Sequence, residues 1–221
     1  MLEIKILLKI PKSVISYNYH NKLHGYVCNL LNNNTYGEVI NNFMYSNLIG
    51  GQNLKEGIKF NENPYFIIRY DKNNTQLKEL LVNNLKNNQF LFDDLSVIGI
   101  AWKVIDLHDK NIFYTLKQSP ILVSRNRYMH TNNLTDVELL DCEQYLKHSI
   151  NNKAKSANFK IDENIEIKII KQHNPKNIWY KGCVNKGRVF ELQINANTET
   201  KKFILLNGLG RSCGCGFGFI Y

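Results

Sequence analysis

Leu2-Glu3-Ile4-Lys5-Ile6-Leu7-Leu8-Lys9-Ile10 opens the chain, and Pro11 closes the stretch. Leu2, Ile4, Ile6, Leu8 and Ile10 fall on one face of an extended chain, with Glu3, Lys5 and Lys9 among the residues on the other, the alternation of a half-buried β-strand. The pattern then changes period. From about Asn18 to Leu31, Tyr19, Leu23, Tyr26, Val27 and Leu30 recur at helical spacing until the asparagines at 32–34 stop it. Apolar or aromatic runs follow at Val39–Leu48 and Tyr65–Tyr70, then a helix from Thr75 to about Asn87 and a strand from Leu95 to Leu107.

That order, strand, helix, strand, strand, helix, strand, predicts a ferredoxin-like unit, an antiparallel sheet with two helices on one face and the other face open to a partner. The rest reads as a second, less regular copy. It has a strand through Ile112–Leu116, an extended stretch Ile121–Ser124, a helix from Thr135 to about Asn151, and a strand at Ile165–Ile170. A hairpin-like pair follows at Ile178–Val184 and Arg188–Ile194, then a short helix near Thr198–Leu206 and a Gly-rich tail. The expected class is α+β, two tandem ferredoxin-like (RRM-like) domains at 1–110 and 111–221 ending in a C-terminal glycine-rich loop. The duplication is inferred from element order, since no internal sequence repeat is visible.

The formal charge is +9, from 28 Lys plus Arg against 19 Asp plus Glu. Residues 153–221 hold 12 basic and 5 acidic residues, whereas residues 1–152 hold 16 and 14, so the positive field belongs to the carboxyl-terminal third. This favours an anionic partner. No run of about 18 apolar residues spans a bilayer, and Glu3, Lys5 and Lys9 interrupt what would be a signal core, so a cytoplasmic protein without membrane association is expected. The five cysteines, with only Cys213 and Cys215 close together, fit neither a disulfide framework nor a zinc site, and no metal or other cofactor is expected.

The most specific segment is Asn207–Tyr221, NGLGRSCGCGFGFIY, with glycines at 208, 210, 214, 216 and 218 and one charge, Arg211. Glycine at this density lets backbone amides approach an anion or another chain closely. A nucleotide-binding phosphate loop would need a G-K-[ST] ending, which is absent. The segment instead resembles the carboxyl-terminal glycine-rich motif of the CRISPR repeat-processing endoribonucleases, the sixth Cas protein family, through Gly208, Leu209, Gly210, Arg211, Gly216, Phe217 and Gly218. Gln118-Ser119-Pro120-Ile121-Leu122-Val123 resembles that family's Ser-Pro-hydrophobic segment, Phe43-Met44-Tyr45-Ser46-Asn47-Leu48 its aromatic-x-aromatic-Ser strand, and Lys22-Leu23-His24-Gly25-Tyr26 sits where the family places its first helix.

The resemblance implies a pair of ferredoxin-like domains and a single cut in each CRISPR repeat of precursor crRNA, leaving a 2',3'-cyclic phosphate without a metal. Such chemistry needs a base for the 2'-hydroxyl, an acid for the departing 5'-oxygen and donors for the phosphorane. Histidine suits the first two roles. With Leu23 at zero and about 100° per residue, His24 lies near 100° and His20 near 60°, both flanking the apolar stripe of the first helix. Both are therefore candidates to face a cleft toward the second domain and its glycine loop. Many members of the family carry a histidine just after this helix, where the chain reads Asn34-Thr35-Tyr36-Gly37-Glu38. Three readings follow: His24 or His20 acts, Tyr36 substitutes, or the protein is a non-cleaving repeat-RNA-binding subunit of a CRISPR effector complex.

Lys22 is a candidate phosphate contact, and Tyr17 and Tyr19 are candidates to position the scissile nucleotide. Arg125, Arg127, Lys168, Lys171, Lys176, Lys181, Lys186 and Arg188 form a candidate phosphate track. Gly208, Gly210, Arg211, Gly216 and Gly218 are candidate contacts from the glycine loop. The expected partners are CRISPR repeat RNA and, in the binding reading, other CRISPR effector subunits.

Overall fold

The computed structural model describes residues 1–31, 43–123, 131–180 and 183–221. The chain divides into two compact units, one of Met1–Val39 with Tyr45–Ile105 and the other of Ile40–Met44 with Asp106–Tyr221. No helix among the described residues is long and apolar enough to cross a membrane.

The first unit begins with β1 (Leu2–Leu8), whose alternation is realised: Ile4, Ile6 and Leu8 are fully buried. Then come α1 (Tyr19–Leu30), β2 (Phe43–Tyr45), whose Phe43 and Met44 count with the second unit, β3 (Ile49–Asn53), β4 (Ile58–Tyr70), α2 (Thr75–Asn87) and β5 (Val97–Val104). The sheet runs β2-β4-β1-β5, with β3 paired to β4, and the β1 pairings are antiparallel. The third strand of the expected motif thus lies between its second and first, and the fourth lies outside the first, which is ferredoxin-like order. The Tyr19, Leu23, Tyr26, Val27 and Leu30 stripe of α1 is buried as its spacing requires. Asn74 caps α2 by accepting from Leu77 N at 3.0 Å.

The β3–β4 hairpin was not expected. Ile49-Gly50-Gly51-Gln52-Asn53 lacks both alternation and β-branched density, and Gly51 is required because a Cβ there would lie 2.2 Å from Ile58 Cγ2. The strand follows from cross-strand contact, and its own residues carry little local preference for it.

The second unit contains β6 (Ile112–Tyr114), α3 (Asp136–Ser156), β7 (Glu166–Tyr180), β8 (Cys183–Asn195), α4 (Thr198–Asn207) and one 3-10 turn at Cys213–Cys215. A capping box at Thr135 and Glu138 starts α3, and Lys153 and Lys155 occupy its last turn, matching the helix dipole. The sheet runs β6-β8-β7. The chain's final residues extend it along β6: Tyr114 N donates to Tyr221 O at 2.9 Å, Tyr221 N to Tyr114 O at 3.0 Å, and Leu116 N to Phe219 O at 2.9 Å. Counting that edge, the order again is ferredoxin-like.

One expected feature is corrected here. The separate strand at 165–170 and the hairpin pair are a single long ladder between β7 and β8, with register shifts at Ile169/Lys171 and His173/Lys176 that absorb Pro175. Tyr180 pairs with Cys183, Ile178 with Asn185 and Lys176 with Gly187, so residues 185–187 continue the ladder and are not its turn. Gly187 lies within β8, opposite Lys176, where Pro120 fills the space its Cβ would take, 2.4 Å from Pro120 Cγ.

Candidate functional site

In the first unit α1 presents its polar edge through His24. The ring is partly exposed, and Nδ1 shares a 3.0 Å hydrogen bond with the hydroxyl of Tyr45, itself 1% exposed. The two rings lie roughly parallel at 6.3 Å, and Cys28 Sγ, one turn along the helix, is 3.6 Å from Nε2. A rigid buried phenol thus orients an imidazole that solvent can reach, which is the arrangement a proton-transfer group needs. Tyr45 escaped the sequence reading as a site residue, although it lies in the aromatic-Ser stretch already singled out.

His20 has a different setting. It is 8% exposed, its Nδ1 donates to Asn47 Oδ1 at 3.0 Å, and Tyr19 packs against its ring. Burial drives its pKa down to about 4, against a partial rise from the Asn47 hydrogen bond. The neutral ring is therefore a fixture of the core. A folded pKa below the unfolded value means that the unfolded chain binds the extra proton, so stability is complete above about pH 6.5 and is lost as pH falls toward 4. We expect wild-type stability to fall by about 2–3 kcal/mol more than that of His20→Gln between pH 7 and 4.5 in urea titrations.

Lys22 is exposed and forms a 2.6 Å ion pair with Asp93. Tyr19 is buried, its phenol pKa raised by that burial, and Tyr17 donates to Leu54 O at 2.6 Å. Tyr19 is therefore a core residue and offers no face to a nucleotide. Tyr36, Arg125, Arg127 and Lys181 lie outside the described residues.

In the second unit the Gly-rich segment folds back on itself. Gly208 ends α4 at φ +66°, and Gly210, Gly216 and Gly218 also have positive φ. Leu209 N donates to Gly218 O at 3.0 Å, and Arg211 N to Leu122 O at 2.9 Å. Lys153 of α3 closes the turn by donating to Asn207 O, Gly208 O and Cys213 Sγ at 3.0, 2.8 and 3.1 Å, a cation on the last carbonyls of α4. Gly208, Gly210, Gly216 and Gly218 are buried, whereas Arg211, Ser212, Gly214 and Cys215 are partly exposed. Arg211 donates to Asn185 Oδ1 at 3.1 Å.

The predicted phosphate track also divides. Lys168 and Lys171 are exposed on β7, and Lys176 is partly so. Lys186 Nζ donates to Asn132 Oδ1 at 3.0 Å. Arg188 is 3% exposed, and its guanidinium donates to Asn132 O and Thr131 O at 3.0 and 2.9 Å. Arg188 thus braces residues 131–132 from within the fold. Arg188→Ala is expected to cost about 1–3 kcal/mol, because two carbonyls lose their donor, and to lower the melting temperature measurably. Among the described residues, no group of three or more His, Cys, Asp or Glu side chains gathers as a metal site.

Comparison with known proteins agrees with this fold. The family model for CRISPR associated protein Cas6, C-terminal, matches residues 103–221, more than half of the chain. A solved structure described as an RAMP protein binding different RNA substrates superposes with TM-score 0.77 at 17% identity, covering 100% of this chain and 98% of its own. A protein from a Cas6-related gene of Pyrococcus furiosus gives 0.77 at 20% identity, covering 100% and 97%. A structure described as CRISPR associated protein Cas6 gives 0.71 at 21% identity, covering 100% and 98%. No curated protein sequence matches the chain significantly. With its carboxyl-terminal half matched by the family's own model, the chain belongs to the Cas6 family, the CRISPR RNA-processing endoribonucleases that its motifs resemble.

Proposed function

We propose that this protein binds CRISPR repeat RNA and cuts it without a metal, using His24 for proton transfer. The observation that carries the reading is the His24–Tyr45 pair, a partly exposed imidazole on the first helix held at 3.0 Å by the buried phenol of Tyr45 in β2.

In this reaction the 2'-oxygen attacks the adjacent phosphorus while a base removes its proton, the bond from phosphorus to the 5'-oxygen breaks, and an acid protonates that oxygen. The products are a 2',3'-cyclic phosphate and a 5'-hydroxyl. His24 is the base or the acid. His20, buried and held neutral, is a structural neighbour on the same helix. The exposed lysines of β7 and the partly exposed Arg211 are available to meet phosphates, contacts that position RNA without reading its sequence.

The test is incubation of the full chain with its repeat RNA in excess EDTA. Persistent cleavage at one position, blocked by a 2'-deoxy substitution there, supports the reading. Tight binding without product transfers the protein to the non-cleaving alternative, a repeat-RNA-binding subunit.

A further inference from the structure

We propose that the open sheet face of the second unit holds a subsite for one unpaired RNA base, stacked on Tyr114 and Tyr221. The proposal rests on the RNA-binding reading above and adds a recognition site to it.

In β6, Phe113 points into the core at 1% exposure, whereas Tyr114 on the opposite face is 43% exposed. Tyr221 is 48% exposed. The two residues exchange both backbone hydrogen bonds, at 2.9 and 3.0 Å. They are therefore a directly opposed antiparallel pair, and their side chains must rise from the same face. The ring centroids lie 6.0 Å apart with the planes inclined by 37°. Two half-exposed phenols fixed side by side, with their planes tilted toward one another, offer an aromatic face on which one base can stack, and such aromatic contacts stack bases irrespective of sequence.

Beside the rings is a recess of about 200 Å³ whose lining includes Lys117, Gln118, His173 and buried Val189. It is smaller than the roughly 300–1,000 Å³ of a site for a drug-sized molecule, and suits a single base. Gln118 and His173 among its lining residues are able to hydrogen-bond a base edge, and Lys117 is a cation for the attached phosphate. Partial burial, and secondarily the charge of Lys117, lower the pKa of Lys176, so the two ammonium groups lie close enough to repel and a phosphate between them would relieve that repulsion. Glu191 stands opposite both Tyr114 and Lys171 in the ladder, so one carboxylate flanks the platform on the strand beside it. An aromatic pair, a one-base recess and two neighbouring cations together specify a nucleotide and not a simple anion, which would need no rings.

The experiment compares binding of the full chain to fluorescein-labelled oligo-A, oligo-U and an abasic ribose-phosphate chain, each about 12 nucleotides, within the usual length of single-strand sites. Wild type should bind the base-bearing strands about 5- to 100-fold more tightly than the abasic one. Tyr114→Ala should lose most of that difference with its affinity for the abasic chain unchanged, and Tyr114→Phe should keep it. Tyr221→Ala provides the same comparison should Tyr114→Ala misfold. If folded alanine variants retain the full preference for bases, the subsite is overturned while RNA binding stands. If wild type binds none of these strands and no repeat RNA, the subsite and the RNA-binding reading fall together.

Discussion

His24→Ala is expected to slow cleavage of repeat RNA by about 10² to 10⁴, the usual loss when a positioned acid or base is removed, with RNA affinity nearly unchanged. The size of the effect follows from the geometry. One ring nitrogen is committed to the Tyr45 hydroxyl at 3.0 Å, which holds the imidazole in place and biases its tautomer. Tyr45→Phe keeps the packing and removes that restraint, so it should lower the rate by less than His24→Ala and shift the pH profile, the mark of a positioning role. Single-turnover rates on radiolabelled repeat RNA across pH 5.5 to 8.5, roughly spanning the titration range of histidine, test both variants. Wild-type rates for His24→Ala would move the catalytic assignment to another residue, with Tyr36 the first to try.

Gly218→Ala is expected to destabilise the second unit by about 3 kcal/mol or more and to lower the melting temperature by about 10 °C. Gly218 has φ +73°, which an L side chain adopts only at a cost, and a Cβ there would lie 1.9 Å from Leu209 O. Neither side can yield, because Leu209 N donates to Gly218 O at 3.0 Å and Gly218 N donates to Ser119 O at 3.1 Å. The control is Gly25→Ala in α1, beside His24, where nothing lies within 4 Å of the new methyl group. Removing a glycine from a helix interior should leave stability unchanged or raise it by about 1 kcal/mol. Thermal melts of the two variants separate a glycine required by close packing from one that is merely tolerated.

The glycine motif shows how far sequence reading reaches. Its density correctly signalled a close approach to backbone, but four of its glycines are buried, and the chain they approach is this protein's own, at Leu209, Leu122 and Ser119. A sequence contains no measure of which surface comes near. The residues at 185–187 show a related limit, since they read as the turn of a hairpin and instead continue the β7–β8 ladder, with Gly187 packed against Pro120.

The long β7–β8 ladder and the edge pairing of the final residues in the second half came from the tertiary structure. Periodicity by itself determined β1, α1 and α2, element order gave the ferredoxin-like unit of the first half, and the short motifs pointed to the family. These are local properties, set by which side chains lie two or about four residues apart, so they survive without coordinates. The choice between His20 and His24 was not of this kind. The two differ by about 40° on one helix, and only packing against Asn47 and Tyr19 on one side and Tyr45 on the other makes the first a buried neutral ring and the second a partly exposed, oriented one. Burial and the pKa it sets depend on residues distant in the chain, which is why the tertiary structure alone could separate them.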